Sequence, residues 1–258
     1  EWITATYYSN TEGYKTTTSV FARDESDTVS VLASFVGSEH KDAEDGNGDT
    51  IEGSESNQKM SYAKLVAYLT DAQKLSVSYE NLKEDGDILY KPELIASPGN
   101  IPEKTEGQRD TAILNYEFDP LSNDALNLSI NVFKTKTEQE RYSTRWNELP
   151  NGQVETFGGT IQNTSIIANH KVIYGFNYRD DTSSYSEPTA NADNEETGKV
   201  KGIYLQDVIT VTDDLTVSTG IRFDDYELVD INDQKITGDG FSPNTSAKLA
   251  QISERTLR

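Results

Sequence analysis

From Gly202 to Glu227 the chain reads GIYLQDVITVTDDLTVSTGIRFDDYE, two alternating runs joined by a turn at Thr212 to Asp214. In the second run Leu215, Val217, Thr219, Ile221 and Phe223 share one face. Thr216, Ser218, Gly220, Arg222, Asp224 and Tyr226 share the other. Successive side chains of a strand point to opposite sides. The segment is therefore a ribbon with one apolar face and one polar, partly charged face. What the chain can fold into depends on what covers the apolar face.

The same alternation recurs along the chain. Val29, Val31, Ala33 and Phe35 share a face, as do Leu65, Ala67 and Leu69, then Leu75, Val77 and Tyr79. Ala112, Leu114, Tyr116 and Phe118 form the next run, followed by Leu126, Leu128, Ile130 and Val132, then Val172, Tyr174, Phe176 and Tyr178. This is the period-2 strand signal, and no stretch has helical periodicity. Short turns fall near Asp24 to Asp27, Thr70 to Gln73, Asp119 to Asp124, Ala168 to His170 and Asp213 to Asp214. Long polar connections alternate with them: Gly37 to Gln58, Leu82 to Gln108, Glu140 to Val154, Asp181 to Lys199 and Val229 to Gly240. In an antiparallel meander, this puts the short turns at one end and the long loops at the other.

A soluble β-sandwich or β-solenoid has no reason to sort its loops in this way. An outer-membrane barrel does: it has short periplasmic turns, long external loops, an apolar outer face and a polar lumen. Gly175, Arg179, Gly220, Arg222 and Asp224 on the inner face suit a wide polar lumen. The expected fold is an all-β, antiparallel up-and-down transmembrane barrel. Its lipid-facing residues should include Leu128, Ile130, Val132, Tyr174, Phe176, Val217 and Ile221, with Asn127, Asn131, Asn177 and Arg222 turned inward.

Composition agrees. Only 34% of the 258 residues are hydrophobic and the formal net charge is −21, yet there are 14 Tyr, 8 Phe and 2 Trp. Such polarity in a periodic chain belongs mostly outside the strands. Cysteine is absent, which excludes disulfides and thiolate metal sites. No apolar run approaches the roughly 18 residues of a membrane helix. The acid excess argues against nucleic acid as a partner.

The Gly202–Glu227 stretch, followed by GFSPNTSAKLA at Gly240 to Ala250, resembles the barrel of TonB-dependent outer-membrane receptors. Those barrels carry a Tyr-x-Gln-Asp strand, a short turn, a Gly-x-Arg-Tyr-Asp strand and then Ser-Pro. Here the matching residues are Tyr204, Gln206 and Asp207; Gly220, Arg222 and Asp224; and Ser242 with Pro243. Phe223 stands where Tyr is commoner. YYSNTEGYKTTTSVFARDESDTVSVLASFVG, starting at Tyr7, resembles the first barrel strands, and the likeness spans nearly the whole chain.

The resemblance implies a 22-strand barrel filled by an N-terminal plug. About 12 strands are legible here, and the chain ends on Arg258 where a complete barrel ends on an aromatic residue. Residues 1–258 are thus expected to be the N-terminal part of such a barrel, without the plug or its TonB box. The implied function is TonB-energised uptake of an iron complex, siderophore or haem, across the outer membrane of a Gram-negative bacterium. The implied partners are the TonB complex, reached through the plug, and lipopolysaccharide. A passive porin-like channel and a secreted or adhesive acidic β-protein that binds calcium are the alternatives.

Candidate site residues are few. Arg141, Tyr142, Arg145 and Trp146 in ERYSTRW place cations and aromatics in otherwise acidic external loops, which suits an anionic aromatic iron complex or, alternatively, a membrane-rim aromatic. His40 opens an external loop and is a candidate haem ligand, whereas His170 sits in a short turn. Arg222, Asp224 and Tyr226 face the lumen. Asp45, Asn47 and Asp49 fit three positions of a calcium loop, but Ala43 and Ser54 fall where two further ligands belong. No nucleophile elbow, catalytic triad or Gly-rich phosphate loop is present, so neither an enzyme nor a cofactor is expected.

Overall fold

A computed structural model of the chain describes residues 1–142, 151–187 and 192–249. Its strands are β1 (Trp2–Tyr8), β2 (Gly13–Arg23), β3 (Val29–His40), β4 (Ala43–Glu44), β5 (Thr50–Ile51), β6 (Ser56–Thr70), β7 (Gln73–Leu89), β8 (Pro102–Phe118), β9 (Asn127–Arg141), β10 (Asn151–Ile167), β11 (His170–Glu187), β12 (Ala192–Thr210), β13 (Leu215–Val229) and β14 (Lys235–Leu249). Twelve of them form one antiparallel meander, each paired with its neighbour in sequence once the small β4–β5 hairpin is set aside. A single 3-10 turn, Ser9–Thr11, joins β1 to β2.

The register divides every strand between two faces. Leu128 on β9 pairs with Asn163 on β10, which pairs with Tyr174 on β11 and, through it, with Leu205 and Ile221. Ile130, Ile161, Phe176, Ile203 and Phe223 form the next row, ending on Phe241. The opposite face carries Asn115, Asn131, Thr160, Asn177, Gly202 and Asp224 in one row. The expected outward and inward sets fall on these two faces without exception.

No second layer covers the apolar face. Among the described residues, Leu89 is the one buried hydrophobic side chain. Ile221, Ile161 and Ile203 are 48%, 50% and 58% exposed. Half-exposed in water, each such side chain forgoes about half of the roughly 1.5–3 kcal/mol of full burial, a loss that lipid removes. The polar face crowds instead: Ser19 and Ser76 are nearly inaccessible, and Ser19 hydrogen-bonds Ser34 across β2 and β3. This is how the concave side of a curled sheet behaves.

The turns follow from local chemistry. Asp24 accepts hydrogen bonds from the Val29 amide at 2.8 Å and the Thr28 hydroxyl at 2.6 Å, closing the β2–β3 turn. Ala168 adopts a positive φ of 54° in the two-residue turn between β10 and β11. Asp230 accepts the Asn232 and Gln234 amides, both at 2.8 Å, between β13 and β14. The meander places Asp24, Asp71, Asp119, Asn169 and Asp213 at one end and Asp45, Asp87 and Glu187 at the other. Trp146, expected at the second end, lies outside the described residues.

One expectation needs correction. The long connections are shorter than the sequence suggests, because the strands continue into them. β7 runs to Leu89 and β8 starts at Pro102, inside the expected Leu82–Gln108 loop. Only residues 230–234 separate β13 from β14. The acidic Gly37–Gln58 connection likewise contains the paired β4–β5 hairpin. Beyond the apolar band both faces are wet and polar, so alternation vanishes while the hydrogen-bonded ladder goes on.

Candidate functional site: the inner wall and outer end of the sheet

The inner face of β10 to β14 carries a connected polar network. Arg222 on β13 is held by Asp224, with Nε to Oδ2 at 2.7 Å and Nη2 to Oδ1 at 2.5 Å. Its Nη2 also donates to Asn177 Oδ1 on β11 at 2.8 Å. The guanidinium lies 5.8 Å from the centre of the Tyr204 ring, within cation–π range. The Tyr204 hydroxyl donates to Gln162 Oε1 on β10 at 2.9 Å. Gln206 Nε2 donates to Ser218 Oγ at 2.8 Å, extending the network toward the turns.

Two glycines make this wall possible. A Cβ on Gly175 would meet the Tyr204 hydroxyl at 2.6 Å, so the tyrosine ring lies over bare backbone. Gly238 leaves the same room for the Tyr226 ring. On this one face of the sheet Arg222 and Asp224 are tied into the wall, while Tyr226 lies over Gly238, 39% exposed.

The outer end holds the other candidates, spread apart. His40 ends β3, with Nδ1 2.9 Å from Thr11 Oγ1 and its ring 5.0 Å from that of Tyr8. Beside it Lys41 pairs with Glu12 at 2.5 Å, which holds the Glu12 carboxyl below its ordinary pKa and raises that of Lys41. Arg141 ends β9 and donates from Nη1 to the Tyr90 carbonyl at 3.0 Å, tying down the β7–β8 connection. Tyr142 follows, its amide bonded to the Lys104 carbonyl at 2.9 Å. Arg145 and Trp146 lie outside the described residues. Between β3 and β9 stand β6, β7 and β8, so His40 and Arg141 are about 19 Å apart at a strand spacing of about 4.8 Å. Among the described residues, His40 and the Arg141–Tyr142 pair lie apart along the outer end and do not share one pocket.

The acidic β4–β5 tip uses its own ligands. Asp45 Oδ1 accepts the amides of Asn47 at 2.8 Å and Asp49 at 2.9 Å, which also lowers the Asp45 pKa. Among the described residues no three His, Cys, Asp or Glu side chains group to hold a metal ion. His170, at the turn end, bonds Asp207 Oδ2 through Nδ1 at 2.7 Å.

Sequence reasoning missed a further feature on the outward face. Tyr14, Tyr79 and Tyr178 donate their hydroxyls to Glu39 at 2.6 Å, Asp110 at 2.5 Å and Asp180 at 2.9 Å. They mark the upper border of the apolar band, where barrel proteins carry aromatic girdles. Tyr178 and Asp180 lie two residues apart on β11, whereas the Tyr14–Glu39 and Tyr79–Asp110 pairs join only through the register.

Known proteins place this architecture. The model of the family described as "TonB dependent receptor-like, beta-barrel" matches residues 39–254. The Heme transporter BhuA of Brucella ovis is 24% identical over 248 residues, covering 94% of this chain and 36% of that protein. The same transporter from Brucella abortus matches equally. In structure, the FrpB iron transporter from Neisseria meningitidis (F3-3 variant) superposes with a TM-score of 0.84 at 17% identity, over 98% of this chain and 43% of that one. The Serratia marcescens hemophore receptor HasR, in complex with its hemophore HasA and heme, gives 0.68 at 14% identity over 96% and 40%. The chain thus spans well under half the length of these relatives. With its single-layer meander, lipid-suited outer face and polar inner wall, the chain belongs to the TonB-dependent receptor β-barrel family.

Proposed function

We propose that this chain is part of the wall of an outer-membrane receptor that imports an iron complex, haem or a siderophore, in a Gram-negative bacterium. The observation that carries this reading is the two-faced, coreless sheet of a family whose relatives here include haem and iron transporters. In this reading the wall is rigid and does no chemistry. The Arg222–Asn177 and Tyr204–Gln162 bonds each reach across an intervening strand, β13 to β11 and β12 to β10, and leave rearrangement to a plug that sits inside. Energy comes from TonB through that plug. Further strands continue from the free edges of β1 and β14 to close a barrel of about 22. Rim residues His40, Arg141, Tyr142, Arg145 and Trp146 meet the ligand first.

Family membership favours this reading over a passive channel or a calcium-binding adhesin. The test is growth of the host on haem or on a ferric siderophore as sole iron source, with the gene intact or deleted and TonB present or absent. Loss of growth on one of the two sources, reproduced by loss of TonB, is expected. Uptake that persists without TonB would make the protein a passive channel.

A further inference from the structure

We propose that Lys59 and Lys83 form a docking site for a phosphate group of lipopolysaccharide in the outer leaflet. This rests on the outer-membrane reading above. The two lysines are direct cross-strand partners on β6 and β7, share the outward face and are both exposed. Like charges placed directly opposite each other destabilise a sheet.

Three other outward-facing lysines, on β8 and β9, have acid partners. Lys134 lies 2.7 Å from Glu155, Lys136 2.7 Å from Glu138, and Lys104 2.6 Å from Glu106. Neither Lys59 nor Lys83 has a carboxylate within 4.0 Å among the described residues. The nearest acids are engaged elsewhere: Glu39 by Tyr14, Asp85 by Asn57 at 3.1 Å, and Asp110 by Tyr79 and Asn81. In a chain of net charge −21, two adjacent unpaired cations are an exception. A cleft opens beside Lys59, lined by Tyr14, Thr16 and Asn57 together with the carboxylates Glu39 and Asp85, whose oxygens accept hydrogen bonds from Tyr14 and Asn57.

Height and direction identify the occupant. Lys83 lies four residues beyond the girdle residue Tyr79 on the same face of β7. At about 3.3 Å per residue and a tilt near 45°, that is roughly 9 Å above the edge of the hydrocarbon, at headgroup depth. A nutrient passing through the lumen would meet the other face. An anion that reaches outward-facing lysines at this height belongs to the surrounding lipid.

The test uses the full-length receptor in detergent, titrated with bisphosphorylated lipopolysaccharide, with its dephosphorylated form and with inorganic phosphate. The Lys59→Gln/Lys83→Gln double variant should bind the bisphosphorylated form at least tenfold more weakly and the dephosphorylated form as the parent does. A Lys134→Gln control should bind like the parent. Without lipopolysaccharide the double variant should unfold at or above the parent's temperature, because a repulsion has been removed. Equal binding by parent and double variant would overturn the proposal, and so would competition by inorganic phosphate as effective as that by lipopolysaccharide. A parent that folds and stays soluble without detergent would break the outer-membrane reading itself, whereas an indifferent double variant in a detergent-requiring barrel would break only the lysine site.

Discussion

The same strands behave as two different materials along their length. Near the short turns, β9 to β13 carry Leu128, Ile161, Tyr174, Leu205 and Ile221 on one face and Ser129, Gln162, Gly175, Tyr204 and Arg222 on the other. Toward the far end, β10 and β11 pair Gln153 with Ser184 and Thr156 with Asp181, polar on both faces. The ladder is continuous across the change. Hydrogen bonding therefore sets where the sheet extends, and solvent sets where its faces differ. In the first region the two faces meet lipid and water; in the second both meet water.

Substitutions can break this comparison, and the largest effect belongs to the band. Ile130→Arg, opposite Tyr116 and Ile161, should destabilise the barrel by about 2–4 kcal/mol in denaturant unfolding from vesicles. The same charge at Gln153, on the same face but beyond the girdle, should cost under about 1 kcal/mol. Equal costs would mean that the apolar face is not in lipid.

The inner wall gives the next largest effect. Gly175→Leu must displace the Tyr204 ring and should cost about 1–3 kcal/mol, as overpacking does. Adding Tyr204→Ala should recover the part of that loss due to the ring, leaving the clash with the Ile161 carbonyl at 2.6 Å, a coupling that a double-mutant cycle would read. If the two changes are additive, the ring and the glycine are not in contact.

At the outer end the expected effect falls on the ligand and leaves stability alone. The connection after β3 is acidic, so an anionic iron complex would be repelled except near cations. Arg141→Ala with Arg145→Ala should weaken binding of an anionic ligand more than tenfold, about 1.4 kcal/mol, in an equilibrium titration. Unchanged affinity in a folded variant would reduce this segment to a rim feature.

The smallest effect is at a turn. Asp24 has a pKa held well below the ordinary carboxylate value by the Ser26 and Thr28 hydroxyls and the Val29 amide. A carboxyl depressed in the folded state adds stability above its unfolded pKa of about 3.9 and loses it as pH falls toward the folded value. A carbon-13 titration of Asp24 should show a midpoint below that of an ordinary aspartate, and Asp24→Asn should remove the acid-dependent part of the turn's stability. An ordinary midpoint would contradict the cap.

What the sequence revealed follows from the same two regions. Strand order, turn positions and the facing of Ile130, Phe176, Asn177 and Arg222 were legible because lipid and lumen impose opposite demands on adjacent residues. The outer parts of β7, β8, β11 and β12 and the start of β14 were not, since two wet faces leave no period to detect. For the site, Arg222, Asp224 and Tyr226 could be placed on the inner wall, but the Asn177 bond and the Gly175–Tyr204 fit come only from the register. Likewise the separation of His40 from Arg141, and the lone Lys59–Lys83 pair, depend on which strands stand between or beside them.

The central claim is that one face of this sheet meets lipid. The chain contains no cysteine, so single labels can be placed at will. A fluorophore at Ile130, Phe176 or Ile221 in turn, and at Asn131, Asn177 or Gln162 for comparison, can be measured in vesicles with quenchers attached to the acyl chains. The account predicts strong quenching at the first three positions, deepest for the label nearest the midplane, and little at the other three. Equal quenching on both faces, or quenching confined to the second set, would contradict it.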